Sequence, residues 1–266
     1  MNLPPSPLPQ FHRRGADFLS SIRALPLAAS IGVHDPVAAL FGPDNAALDV
    51  DVSFAKLLLA RYKYFSTFFD QCCERFEQIL LLGTGFDMRS ISSTHANQFR
   101  PLIIEIDRPE MFRQKEEILA QLKVAIPPHV RYLAADLSAE DLLLRLVEAG
   151  FDPSLPTAIL AEGVIYFLPE PVSSRLFSPD FLGLPRSSVL LVDVWSNALV
   201  DRRNRGKAPP GFQRSPLPER TGEWSAHLHS AGFAAVDVQS MSDVMMSIWK
   251  ERLDPFPGWM IVEQRW

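Results

Sequence analysis

Between Gln78 and Arg89 the chain reads QILLLGTGFDMR, an apolar run that stops on Gly-x-Gly. Ile79, Leu80, Leu81 and Leu82 have the pattern of a parallel strand covered on both faces. Gly83 and Gly85 remove side chains where the backbone must bend sharply and a ligand must come close. A second apolar run, Leu102 to Ile106, ends on Asp107, roughly twenty residues past the turn, where an acid can accept both hydroxyls of a ribose. Glycine turn and second-strand acid together suggest an adenosine site.

Two cofactor classes use such a site. Dinucleotide enzymes prefer Gly-x-Gly-x-x-Gly, whose third glycine lets a helix pack closely beneath a pyrophosphate. Met88 holds that third place, so the fingerprint is incomplete. A methyl donor such as S-adenosylmethionine has no pyrophosphate and needs only one or two glycines. Its cationic sulfonium and amino-acid tail call for carboxylate, carbonyl and basic partners.

The surrounding sequence supplies the elements that must hold these residues. Val52 to Phe76 carries apolar side chains three and four apart (Phe54, Leu57, Leu58, Tyr62, Phe65, Phe69), the spacing of an amphipathic helix leading into the first strand. Strand and helix signals then alternate: strands over Leu102–Asp107, Val130–Ala135, Thr157–Ala161 and Ser188–Val194, helices over Met111–Val124, Ala139–Ala149 and Glu170–Phe177. That alternation predicts an α/β fold with a mostly parallel sheet. Ala234–Ser240 and Trp259–Gln264 are expected as a closing antiparallel pair, giving seven strands with helices on both faces. The first ten residues, with four prolines, are expected to trail in an extended form. Asp17 to about Leu40 reads as one or two helices broken at Pro26 and near His34-Asp35-Pro36. The expected organisation is one domain over 1–266, with a helical cap over 1–60 and a lid-like insertion over 196–222.

Composition narrows the function. With 266 residues, 47% of them hydrophobic, the chain can bury a sizeable core, and its net charge of −5 does not favour a polyanion such as nucleic acid. Cys72 and Cys73 are adjacent, unsuited to pairing with each other or to caging zinc. No apolar segment approaches the roughly 20 residues of a membrane span, and the prolines of MNLPPSPLPQFHRR do not suit a signal peptide. A cytoplasmic protein with no metal is expected.

Four blocks, GTGFDMR at Gly83 to Arg89, EIDRPE at Glu105 to Glu110, AADLS at Ala134 to Ser138 and PTAILAEGVIYFLP at Pro156 to Pro169, resemble the leucine carboxyl methyltransferase type of S-adenosylmethionine-dependent methyltransferase. The resemblance implies a class I, Rossmann-like methyltransferase fold and methyl transfer, most typically to a carboxylate oxygen. It also implies roles. Gly83 and Gly85 lie under the methionine portion of S-adenosyl-L-methionine, Asp107 binds the ribose, and Asp136 with the backbone of Leu137 holds the adenine. Glu162 faces the amino group or sulfonium, and Arg61 pairs with the donor carboxylate. Asp87 and Arg89 match the motif as braces of the loop. The family often has Tyr at the position of Phe167, whereas here the tyrosine is Tyr166.

No catalytic residue stands out. A carboxylate acceptor is already ionised and needs no general base, whereas a phenol or hydroxyl would want His, Asp or Glu nearby, with His34, His227 and His229 as candidates. Trp195, Phe212, Trp224 and Trp249 are candidate pocket walls, or core. From Asp201 to Arg220, six basic residues (Arg202, Arg203, Arg205, Lys207, Arg214, Arg220) face two acidic ones, a local charge of +4. This stretch can recruit an anionic small-molecule acceptor, or it can be a solvated loop. Methylation of a hydroxyl or of a peptide carboxyl terminus, an NAD-dependent oxidoreductase and a non-catalytic donor-binding protein are the alternatives.

Overall fold

The computed structural model of the chain describes residues 8–35, 38, 51–178, 180–205, 212–214, 217–252 and 258–265. Seven strands, β1 (Gln78–Leu82), β2 (Leu102–Asp107), β3 (Val130–Ala134), β4 (Thr157–Ala161), β5 (Val189–Trp195), β6 (Ala235–Ser240) and β7 (Trp259–Arg265), form one sheet in the order β3-β2-β1-β4-β5-β7-β6. β1 to β5 are parallel, and β7 runs antiparallel to both β5 and β6. The register sets Leu82 beside Ile106 and Asp107 beside Ala134, so the carboxyl ends of β1, β2 and β3 finish at one edge of the sheet. Chain order reverses between β2-β1 and β4, which opens a crevice beyond those ends.

The helices are α1 (Leu8–Arg23), α2 (Pro26–Ala29), α3 (Val52–Arg75), α4 (Arg89–Ser92), α5 (Thr94–Phe99), α6 (Pro109–Gln121), α7 (Leu142–Glu148), α8 (Glu170–Leu176), α9 (Asn197–Asn204), α10 (Thr221–Ser230) and α11 (Met241–Trp249). α3 is started by Asp51, whose side chain accepts from the Ser53 and Phe54 amides. The apolar runs of the strands serve two cores, as side-chain alternation requires. Leu80, Leu82, Ile104 and Ile159 pack on one face with Leu146, Phe177 and Trp224, while Ile79, Leu81, Ile103 and Leu160 pack on the other with Leu57, Phe65 and Phe69.

Several expected boundaries move. Leu8, Pro9 and Gln10 are helical rather than extended, because proline is tolerated in the first turn of a helix; residues 1–7 lie outside the described residues. α6 starts at Pro109, where the proline marks a helix start, but stops at Gln121 instead of Val124, since Lys123 turns left-handed at φ 56°. α7 starts at Leu142 rather than Ala139, after a turn closed on Asp136. The segment between β6 and β7 contains α11, capped by the Ser240 hydroxyl. Cys72 and Cys73 are both free and buried, and burial pushes the Cys72 thiol up to about 12.

Candidate functional site

A cavity of about 750 Å³ opens at the carboxyl ends of β1 to β5, and all seven residues singled out as a cofactor set (Arg61, Gly83, Gly85, Asp107, Asp136, Leu137 and Glu162) line it. They come from α3 and from the segments at the ends of β1, β2, β3 and β4, so the sheet register is what brings them together.

The glycine turn is tied directly to β2. Gly83 has φ 63° and donates its amide to the Ile106 carbonyl at 2.8 Å; a Cβ there would lie 2.6 Å from Val164 Cγ2. Gly85, with φ 51°, donates to Asp107 Oδ2 at 2.6 Å, and the Arg108 amide donates to Oδ1 at 2.7 Å. Burial pushes the Asp107 carboxyl above the usual carboxylate range, against the pull of those two amides. Between the glycines, Thr84 keeps a buried hydroxyl with no hydrogen-bond partner. Behind the turn, the Lys115 ammonium bridges the Asp87 carbonyl and Glu105, the latter at 2.7 Å, and Ser90 donates to the same carboxylate. Met88, in the third place of the glycine pattern, is fully buried with Phe86, Ile91 and Met111.

At the tip of β3, Asp136 is exposed and its Oδ1 accepts from the Ser138 hydroxyl at 2.6 Å and the Ser138 amide at 2.7 Å, which hold the carboxyl below its ordinary value. Leu137 is buried, and its carbonyl accepts from Arg175 at 2.5 Å.

Beyond β4 the cavity floor is an ion network. Arg61 Nε donates to Glu162 Oε1 at 3.0 Å, and its Nη1 donates to the Tyr166 hydroxyl at 3.1 Å and to Asp193 Oδ2 at 3.2 Å. Arg89 takes the other oxygen of Glu162 and pairs with Asp87 at 2.6 Å. Asp193 also accepts from the Gly163 amide at 2.5 Å and from the Trp259 indole at 2.9 Å. Burial pushes the Asp193 carboxyl up, opposed by Arg61; yet donors surround both oxygens, the environment of a carboxylate ion. Burial would lower Arg61, but the carboxylates of Asp193 and Glu162, with the Tyr166 hydrogen bond, outweigh it and raise the group. Gly163 sits at φ 71°, and a Cβ there would meet Arg61 Nη2 at 3.3 Å.

α1 and the segment after β5 complete the walls. Arg23 pairs with Asp35 at 2.9 Å and donates to the Phe86 carbonyl at 2.8 Å; Arg23 and Arg89 both lie over the Tyr62 ring, 5.0 and 4.8 Å from its centroid. Trp195, Phe212 and Arg203 line the cavity, and the Gln213 amide donates to the Tyr166 carbonyl at 2.7 Å. Arg202 and Arg205 are exposed and do not line it; Arg214 pairs with Asp201 at the surface; Lys207 lies outside the described residues. Nor do His34, His227 or His229 line it, and His229 contacts the Ser225 carbonyl on its own helix. Trp224 is core, and the Trp249 indole donates to the Lys56 carbonyl. Among the described residues no cluster of His, Cys, Asp or Glu is placed to hold a metal, and no helix is long and apolar enough to cross a membrane.

Asp193 was missed in the sequence, although a charge inside the apolar run VLLVDVW carries a signal: a buried carboxylate requires partners. Arg23, Lys115 and Val164 were missed as well. None carries a local pattern that separates it from a surface or packing residue.

The leucine carboxyl methyltransferase family matches residues 16–179. A Mycolicibacterium gilvum protein with a provisional S-adenosyl-L-methionine-dependent methyltransferase name is 31% identical over 216 residues, covering 77% of this chain and 66% of that protein. A similarly named protein of Mycobacterium sp. (strain KMS) is 35% identical over 130 residues, 48% of this chain and 42% of its own length. The chain thus spans from two fifths to just under two thirds of these curated relatives. Among solved structures, a provisionally assigned methyltransferase from Thermobifida fusca superposes with TM-score 0.58 at 18% identity, covering 98% of this chain and 99% of that one. A protein from Streptomyces avermitilis superposes with TM-score 0.57 at 16% identity, over 95% and 96%. These likenesses show the fold that the seven-stranded sheet displays. The chain belongs to the leucine carboxyl methyltransferase family of S-adenosylmethionine-dependent methyltransferases.

Proposed function

We propose that the protein is an S-adenosylmethionine-dependent O-methyltransferase that methylates a carboxylate of a small, anionic molecule. The observation that carries this reading is the convergence of Gly83, Gly85, Asp107, Asp136 and Glu162 on one cavity at the sheet's switch point. The residues present fit the donor. The left-handed glycines let a ligand lie against the backbone, Thr84 keeps an unused buried hydroxyl, and Asp107 is a half-buried acceptor whose charge hydroxyl donors would stabilise.

In this reading Asp107 takes the ribose, Asp136 and the Leu137 backbone take the adenine, and Glu162 faces the amino group or sulfonium. Arg61 presents Nη2 to the donor carboxylate, its Nε and Nη1 being committed to Glu162, Tyr166 and Asp193. The donor supplies a methyl carbon already activated by its sulfonium, so the protein's task is alignment and exclusion of water. α1 caps the acceptor end, and the described parts of the 196–222 segment close over it with Arg203 at the wall. Glu162 and Asp193 are fully engaged by arginines and amides, and burial raises the Tyr166 phenol. That arrangement supports an acceptor that brings its own negative charge.

Calorimetry with S-adenosylmethionine and with NAD tests the cofactor: micromolar binding of the former, about −8 kcal/mol, is expected, abolished by Asp107→Ala or Asp136→Ala. Binding retained in both variants rejects the assigned pocket, and preference for NAD rejects the class. A labelled-methyl assay over free acids, phenols and peptides then tests the acceptor, with label entering acids as base-labile ester.

A further inference from the structure

The cavity has two chemically different ends. Over β1 to β3 it carries the glycine turn with Asp107 and Asp136; over β4 and β5, above the Arg61–Glu162 ion network, it carries a group of aromatic rings. Trp195 stacks on Tyr166 with centroids 4.1 Å apart and planes at 19°, Phe212 lies 4.7 Å from Trp195, and Phe167 lies 5.2 Å from Phe212. These rings come from three separate segments, after β4, at the end of β5 and at residues 212–214, and all four line the same space.

Among the described lining residues, the Thr84 hydroxyl at one end and the Trp195 indole N–H at the other are buried without a hydrogen-bond partner; Arg89 Nε also lacks one, but it pairs with Asp87 at 2.6 Å. A buried indole N–H left unpaired is costly, and such groups normally find an acceptor. Among the described residues of the ring-lined end none accepts it. Tyr166 is committed to Arg61 and Asp193, and Asp193 takes its indole hydrogen bond from Trp259 instead.

We propose that the β4–β5 end is the acceptor compartment and that it selects a carboxylic acid carried on a flat aromatic body, the ring seated against Trp195, Phe167 and Phe212 and one carboxylate oxygen accepting the Trp195 indole N–H. The inference rests on the methyltransferase reading, which assigns the β1–β3 end to the donor. A carboxylate oxygen attacks the methyl carbon as the carbon–sulfur bond breaks, the electron pair stays on sulfur as a neutral thioether, and the acid leaves as an uncharged ester. No proton changes place. Flat rings satisfy the offset stacking that aromatic walls favour, and an aliphatic acid of equal area does not.

The test uses the full chain saturated with S-adenosylhomocysteine, the spent thioether, and titrates it with 2-naphthoate, hexanoate and 2-naphthamide by calorimetry and by quenching of indole fluorescence. Naphthoate is expected to bind at least tenfold more tightly than hexanoate or naphthamide and to quench. Trp195→Phe is expected to lose most of the preference for acid over amide while keeping the preference for ring over chain. Phe212→Leu should lower naphthoate affinity about tenfold and leave thioether binding unchanged. If the thioether does not bind, the donor reading falls and this one with it. If it binds but the three probes are not distinguished, or Trp195→Phe keeps the full acid preference, the compartment is not selective and this proposal alone is overturned.

Discussion

Arg61 and Asp193 form an ion pair, Nη1 to Oδ2 at 3.2 Å, in which the side chains are 3% and 0% exposed. The pair joins the helix before β1 to the inner strand β5, and through the Gly163 amide it also fixes the turn after β4. Removing one member of a buried pair strands the other charge, so Asp193→Ala should destabilise the fold by about 3–5 kcal/mol. Urea unfolding checks this; a loss below about 1 kcal/mol, the scale of an exposed pair, would show that the pair is not desolvated.

Gly83 is expected to tolerate no side chain. An added methyl meets Val164 Cγ2 at 2.6 Å, and the φ of 63° is itself strained for other residues, by about 1–3 kcal/mol. Gly83→Ala should therefore lower the thermal midpoint and weaken donor binding. Combining it with Val164→Ala should restore part of the loss, the steric share, and not the backbone share. A double variant no better than the single one would mean that the contact does not matter.

The two strand-tip acids should respond oppositely to pH. Asp107 is raised by burial, so its contribution to folding is fully present below the ordinary carboxylate pKa and is lost as pH rises through the raised value. Asp136 is lowered by its Ser138 hydrogen bonds, so its contribution is present above the ordinary value and is lost only as pH falls through the depressed one. Hydroxyl donors favour ionised Asp107, so donor binding in mildly acid solution should release a proton, measurable by calorimetry in buffers of different ionisation enthalpy. Zero release across the range above the ordinary carboxylate pKa, about 3.9, would place the ribose elsewhere.

Arg203 alone among Arg202, Arg203 and Arg205 lines the cavity. Arg203→Gln should raise the KM of an anionic acceptor about fivefold, equivalent to about 1 kcal/mol, with donor affinity unchanged. Arg202→Gln and Arg205→Gln should leave both constants alone. Equal effects from all three would point to a diffuse field, and none would leave the stretch a solvated segment.

The sheet was legible because the inner strands are built on short apolar runs bounded by turn residues, as in Ile79–Leu82 and Val189–Val192. α4 and α5 were not, since RSIS and THANQF are too short and polar to show a helical period. α11 was readable in principle: Ser240 caps Asp243 three residues on, a start signal overlooked among the apolar residues that follow. At the site, residues at strand tips declared themselves by position after a motif. The network linking Arg61 to Glu162 and Asp193 did not, because its members stand 101 and 132 residues apart and only the sheet order makes them neighbours.

The Tyr62 ring is met by two guanidinium groups, one from α1 and one from the segment that follows the glycine turn. The amino-terminal wall and the glycine loop thus share this ring as well as the Arg23 hydrogen bond to the Phe86 carbonyl. Ordering of the loop by a bound adenosine should pass directly to that wall, and a protein emptied of ligand should loosen there before its sheet does.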